Sequence, residues 1–236
     1  MNDNLVSEVL TADTLPGTSE VITAEPVTER PLSGIKIGID PGHQQNANYD
    51  MEAVAPGSSE TKYKVNSGTD GTATSIPEYV TNLEISLLLR DKLEAQGATV
   101  YMTRETHDVD ISNQERAIMM NEYGVDLALR IHCDSADDPN AHGLALYVSE
   151  SNSIADQSYH YAEIILPIAS GIMSAKANGI IQNDNYTGQN WSEVPCMMVE
   201  CGFMSNPEED ILLNTPEYQE KICDGLTEGI IACFAP

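Results

Sequence analysis

The chain has 236 residues, 41% of them hydrophobic, enough for one well-packed domain with a tail and too few for two full domains. Lys+Arg 11 against Asp+Glu 37 give a formal net charge of -26, which repels phosphate backbones and anionic headgroups and argues against a nucleic-acid partner. No run of about 18 apolar residues is present, so no membrane span is expected, and the five cysteines, odd in number and without CxxC spacing, imply neither a disulfide framework nor a structural zinc module.

Residues 1–33 mix Asp, Glu, Pro and small residues without periodicity and read as an acidic linker or tail; residues 34–236 read as one folded domain. No basic segment followed by an apolar one opens the chain, so it reads as a mature or trimmed form. Ile35, Ile37 and Ile39 alternate with Lys36 and Gly38, the period of a strand, which Pro41 and Gly42 stop just before His43. From Gln44 to Pro77 the chain is rich in Gly, Ser, Thr and Asn, an irregular stretch long enough to wall or cover a cleft. Helical spacing of apolar residues then begins at Glu78 and stops at Gly97.

A second strand is predicted over Ala98–Thr103. Ser112 and Glu115 form the capping box of a helix that Gly124 ends. Val125–His132 reads as a third strand and Gly143–Val148 as a fourth. Ile154 to about Ala177 reads as a helix that Pro167 should kink or split, followed by a polar loop over Gly179–Glu193. Cys196–Glu200 is a fifth strand, and Thr215-Pro216 opens a last helix running to about Phe234. Strands alternating with helices predict an α/β domain with a twisted, largely parallel central sheet flanked by helices on both faces.

In a parallel sheet all strand carboxyl ends share one edge, so His43, His132 and Glu200 can meet there with Glu78 from a helix start. Two neutral imidazoles and a carboxylate suit a catalytic zinc with one position left open, and a further carboxylate must then move protons. Spacing alone does not divide the two glutamates. Glu200, in an apolar setting that raises its pKa, is the better base, and Glu78, beside a polar loop, the more natural ligand. Period-two geometry turns Cys133 and Cys201 away from a site that holds His132 and Glu200, which disfavours a thiolate nucleophile. His107, His142 and His160 read as surface or structural residues, with His142 the nearest of them to a substrate.

The segments Ile37-Gly38-Ile39-Asp40-Pro41-Gly42-His43, Glu78 ahead of Asn82-Leu83, Val100 to Arg104, Arg130-Ile131-His132-Cys133-Asp134-Ser135, and Val199 to Asp210 occur in an order that resembles the zinc-dependent N-acetylmuramoyl-L-alanine amidases of the amidase-3 family. The likeness runs from about Ile35 to Phe234, with Gln44-Gln45 standing where many members have Gly-Gly and Cys133 where Ala is usual. It implies Zn2+ held by His43, Glu78 and His132, and Glu200 as catalytic glutamate. It implies hydrolysis of the amide between N-acetylmuramic acid and L-alanine in peptidoglycan, with metal-bound water as nucleophile and Glu200 as general base and acid. An extracellular or cell-wall location follows from that substrate. The alternatives are a zinc peptidase acting on the stem peptide and an inactive wall-binding module. A protein partner is not indicated. Part of Gln44–Pro77 is expected to lie over the zinc and to move when a partner or substrate arrives.

Overall fold

The computed structural model describes residues 30–235, so most of the segment read as an acidic tail lies outside the described residues. Strand β1 (Lys36–Pro41) is followed by a hairpin of β2 (Asn48–Ala53) and β3 (Thr61–Val65), then α1 (Glu78–Ala95), β4 (Thr99–Met102), α2 (Asn113–Tyr123), β5 (Leu127–Asp134) and β6 (Leu144–Val148). The chain continues through α3 (Ala155–Met173), β7 (Ala177–Gln182), the single turn α4 (Thr187–Asn190), β8 (Cys196–Phe203), α5 (Pro207–Leu213) and α6 (Pro216–Phe234). The central sheet has the order β4-β1-β5-β8-β6-β7. Pairing is parallel except between β6 and β8, which run antiparallel.

Period-two alternation sorts the strands' side chains between the two faces. Ile37 and Ile39, Leu129, Ile131 and Cys133, and Met197, Val199 and Cys201 enter the main core with Ile85, Leu89 and Leu93 of α1 and Ile222, Leu226 and Ile230 of α6. The alternate residues of the same strands face α2. There Gly38 leaves room for Met120, whose sulfur would lie 2.4 Å from a Cβ at that position, and Ala128 and Cys196 pack with Met120 and Val125. Asp40, Arg130, His132 and Glu200 share that face. Register then sets Asp40 beside Arg130 and His132 beside Glu200.

Three expectations change. The irregular stretch after His43 contains the β2–β3 hairpin, hidden because its large side chains Tyr49, Met51 and Tyr63 are exposed and Val65 alone of its apolar residues is buried. The polar loop expected over Gly179–Glu193 begins inside β7, an edge strand of half-buried residues that needs no apolar alternation. Pro167 lies within an α3 assigned as one helix. Ser112 caps α2 as expected: its side chain accepts from Glu115 N while Glu115 accepts from Ser112 N. Thr215 stands at the N-cap of α6 ahead of Pro216 as expected, but its side chain makes no cap bond, because the hydroxyl donates to Leu212 O at 2.7 Å. Leu32, inside the segment read as tail, is completely buried in the core, and its N–H donates to Gln96 O at 2.9 Å.

The α2 face is held by charge. Asp40 Oδ1 accepts from Arg116 Nη1 at 2.8 Å and Thr103 Oγ1 at 2.6 Å, and its Oδ2 accepts from Arg130 Nε at 2.8 Å. Burial alone would raise the Asp40 carboxyl, but the two guanidiniums outweigh it and hold it well below the usual carboxylate range. The pairs therefore stabilise the fold fully above the ordinary aspartate value of 3.8, and that contribution is lost as the pH falls below it. Arg116→Met, which leaves Asp40 buried and half unpaired, is expected to cost about 3–5 kcal/mol in urea denaturation at neutral pH. The gap to the wild type should narrow below pH 3.8. An unchanged midpoint at neutral pH would show that the pairs do not stabilise the fold.

Candidate metal centre

The chain leaves β1 through a turn whose carbonyls are all taken by guanidiniums. Arg104 donates to Pro41 O and Gly42 O, both at 3.0 Å, and Arg116 donates to Pro41 O at 2.8 Å and His43 O at 3.0 Å. His43 is held at φ 58, a left-handed conformation that costs a residue with a Cβ roughly 1–2 kcal/mol. Those bonds fix it there. His43 Nδ1 lies 3.0 Å from Asn66 O, and because a carbonyl only accepts, Nδ1 carries the proton. In the neutral ring Nε2 then presents a lone pair, yet it lies 3.1 Å from Glu78 Oε2. Two electron-rich atoms at that separation call for a proton or a cation between them.

Glu78 opens α1 and is 4% exposed. Its Oε1 accepts from Asn82 Nδ2, one helical turn on, at 3.0 Å, and its Oε2 accepts from Thr69 N at 3.1 Å. Oε1 also lies 3.1 Å from His132 Nδ1. Burial pushes this carboxyl up, but the imidazoles of His132 and His43 beside it prevail and hold it well below the usual glutamate range. Space around it is tight. A Cβ at Gly68 would fall 2.7 Å from Glu78 Oε2, and one at Gly42 would fall 2.3 Å from His132 Cε1.

Burial pushes the His132 imidazole down to about 4, so at neutral pH the ring is uncharged, the form that ligates metals. Its Nε2 is buried with no hydrogen-bond partner among the described residues. The two rings meet edge to face, centroids 4.9 Å apart. One ligand atom from each of His43, Glu78 and His132 can be chosen so that all lie within 4.8 Å of one another, so this cluster could coordinate a metal. The donor set, the facing lone pairs and the orphaned nitrogen all fit a divalent cation.

Glu200 lies beside His132 across the β5–β8 ladder and is 7% exposed. Burial, reinforced by the negative charges of Glu78 and Asp134, pushes its carboxyl well above the usual glutamate range. Its Oε2 has no hydrogen-bond partner among the described residues. All of the site residues expected from the sequence line one cleft of about 690 Å³, to which the hairpin adds Met51, Lys62 and Tyr63 and the β7–α4 region adds Asn185 and Tyr186. Cys133 and Cys201 point into the core as expected. His142 lines a different cavity with Lys176 and Tyr218, so its expected approach to the site is not what the fold provides.

The hairpin is pinned as a wall. Trp191 Nε1 donates to Ala53 O at 2.9 Å, Asn190 Nδ2 to Val54 O at 3.0 Å and Asn113 Nδ2 to Lys64 O at 2.8 Å. Reading the sequence missed the supporting groups Asn66, Thr69 and Arg116. Asn82, Arg104, Arg130 and Asp40 stood inside motifs that had drawn attention.

The sequence and the fold are similar to those of known proteins. A "Probable cell wall amidase LytH" of Staphylococcus aureus is 28% identical over 216 residues, 92% of this chain and 64% of that protein, so the chain spans less than two thirds of the length of these curated relatives. The crystal structure of an N-acetylmuramyl-L-alanine amidase, Ami1, from Mycobacterium smegmatis superposes with a TM-score of 0.79 at 24% identity, covering 86% of this chain and 98% of that one. An N-acetylmuramoyl-L-alanine amidase from Clostridium difficile 630 shares the fold with a TM-score of 0.72 at 24% identity, covering 84% and 95%. The family model described as N-acetylmuramoyl-L-alanine amidase matches residues 37–232, and the chain belongs to that family, amidase-3.

Proposed function

We propose that the chain is a zinc-dependent hydrolase of the amide between N-acetylmuramic acid and L-alanine in peptidoglycan, with His43, Glu78 and His132 as metal ligands and Glu200 as general base and acid. The observation that carries this reading is the gathering of those side chains, from separate segments, into one cleft. Membership of the family supports the bond that is cut. It also points to the cell wall, outside the membrane, as the place of work. No described helix is long and apolar enough to cross a membrane.

A zinc ion bound there would polarise the scissile carbonyl and lower the pKa of a water to roughly 7. The chain's own residues do the rest. Asn82 and Thr69 fix both oxygens of Glu78, and Asn66 fixes the His43 tautomer, the kind of support that orients ligands and whose loss typically costs 10–100-fold in metal affinity. Glu200, without a competing hydrogen bond on Oε2, takes the proton of the attacking water and returns it to the leaving amine. Its raised pKa suits both halves of that transfer.

Glu200→Gln should retain zinc, measured by competition with a chelator, while turnover falls by about 100-fold or more; near wild-type turnover would remove Glu200 from the mechanism. In the metal-free protein the Glu200 carboxyl should titrate above the ordinary glutamate value of 4.5, followed by carbon-13 NMR of the side chain. A midpoint below that value would contradict the effect of burial on Glu200. Gly42→Ala should displace the His132 ring and weaken zinc binding by about tenfold or more, with the helical circular dichroism retained. Digested muropeptides should yield free glycan and intact stem peptides. Cleavage within the stem would favour a peptidase instead.

A further inference from the structure

The β2–β3 hairpin is built inside out. Glu52, the partner of Lys62 in register, is buried against the start of α2, where its Oε1 accepts from Gln114 N at 3.1 Å, and Lys62 and Lys64 are half-buried. The other face carries Met51 directly opposite Tyr63, with Tyr49 edge to face on Tyr63 at 5.1 Å. These three are the most exposed large hydrophobic residues among those described, at 60% for Tyr49, 53% for Met51 and 54% for Tyr63, together with Ile211 at 53% on α5. Solvent favours the opposite arrangement, and an apolar strip held outward on a pinned wall marks a surface that something else covers.

The strip is continuous with the cleft. Met51 and Tyr63 line the same cavity as His43 and Glu200, and Tyr49 extends the strip beyond it. An occupant must therefore lie along the hairpin while its reacting bond sits at the metal cluster. Stem peptides of the wall carry carboxylates and amides that seek charged or hydrogen-bonding partners, which Lys62 and Asn185 of the same cleft supply better than ring faces and a thioether do. Pyranose rings present C–H faces on their flat sides and keep their hydroxyls at the rim, and such faces pack on aromatic rings. We propose that Tyr49, Met51 and Tyr63 form a glycan subsite, a stacking platform for the N-acetylated sugars that flank the muramyl residue being cleaved. This rests on the reading of the substrate given above.

Peptide-free strands of alternating N-acetylglucosamine and N-acetylmuramic acid, titrated into the intact protein and followed by calorimetry, test it without any amide to cleave. The wild type should bind, and Tyr49→Ala with Tyr63→Ala should weaken binding by about tenfold, the scale of aromatic stacking. Tyr49→Phe with Tyr63→Phe should restore it, with the far-ultraviolet circular dichroism unchanged throughout. On polymeric substrate the alanine pair should raise KM and leave kcat alone. No binding by the wild type, or equal binding by the alanine pair, overturns the subsite. A dimer in sedimentation that the alanine pair dissolves also overturns it, because a second copy would then be the occupant. Glycan binding that the alanine pair loses, in a protein that cuts no muramyl amide, would keep the subsite and reject the catalytic reading.

Discussion

The buried carboxylate of Asp40 is the constraint on which the site depends. It ends the apolar run of β1 with a charge that cannot stay buried alone, and Arg116 from α2 and Arg130 from β5 both converge on it. The same guanidinium of Arg116 then reaches past Asp40 to the carbonyls of Pro41 and His43, and to Gln44 Oε1 at 3.0 Å. One ionic contact thus joins two strands and a helix and fixes the turn that carries His43. Gln44 follows His43 in that turn. Here it is 1% exposed and fills this cage, with its Oε1 also accepting from Ile111 N at 3.1 Å.

Around this cage the cleft concentrates negative charge. Glu78, Asp134 and Glu200 approach one another where the compensating Arg130 is already committed to Asp40. The consequence is divergence: Glu78 is held ionised by its hydrogen bonds, and Glu200 is pushed toward its neutral form. Carboxylates driven apart in this way are suited to different tasks, one to ligation and one to proton transfer. The neutral imidazole of His132 between them belongs to the same balance, since burial removes its charge more effectively than Glu78 restores it.

Much of this was readable from the residues, for reasons that differ by element. β1, β5 and β8 are buried on both faces, so their apolar runs are dense, and the polar residues that interrupt them stand out because burying them needs a purpose. Ser112 and Glu115 announced α2 because a capping box is a local pattern. β7 was invisible because an edge strand obeys weaker demands, and the β2–β3 hairpin because Tyr49, Met51 and Tyr63, its large apolar residues, are exposed. Pairing of Asp40 with Arg116 spans 76 residues and is set by topology, which no local spacing reports. Asn66 and Thr69 act through backbone carbonyl and amide groups, to which residue type gives no clue.

X-ray absorption at the zinc edge of the zinc-loaded protein tests the central claim most directly. The account predicts a shell of nitrogen and oxygen atoms at about 2.0–2.2 Å with the multiple-scattering signature of two imidazoles, which becomes that of one imidazole in His132→Ala. A sulfur shell near 2.3 Å, from any of the five cysteines, or no imidazole scattering at all, would contradict it.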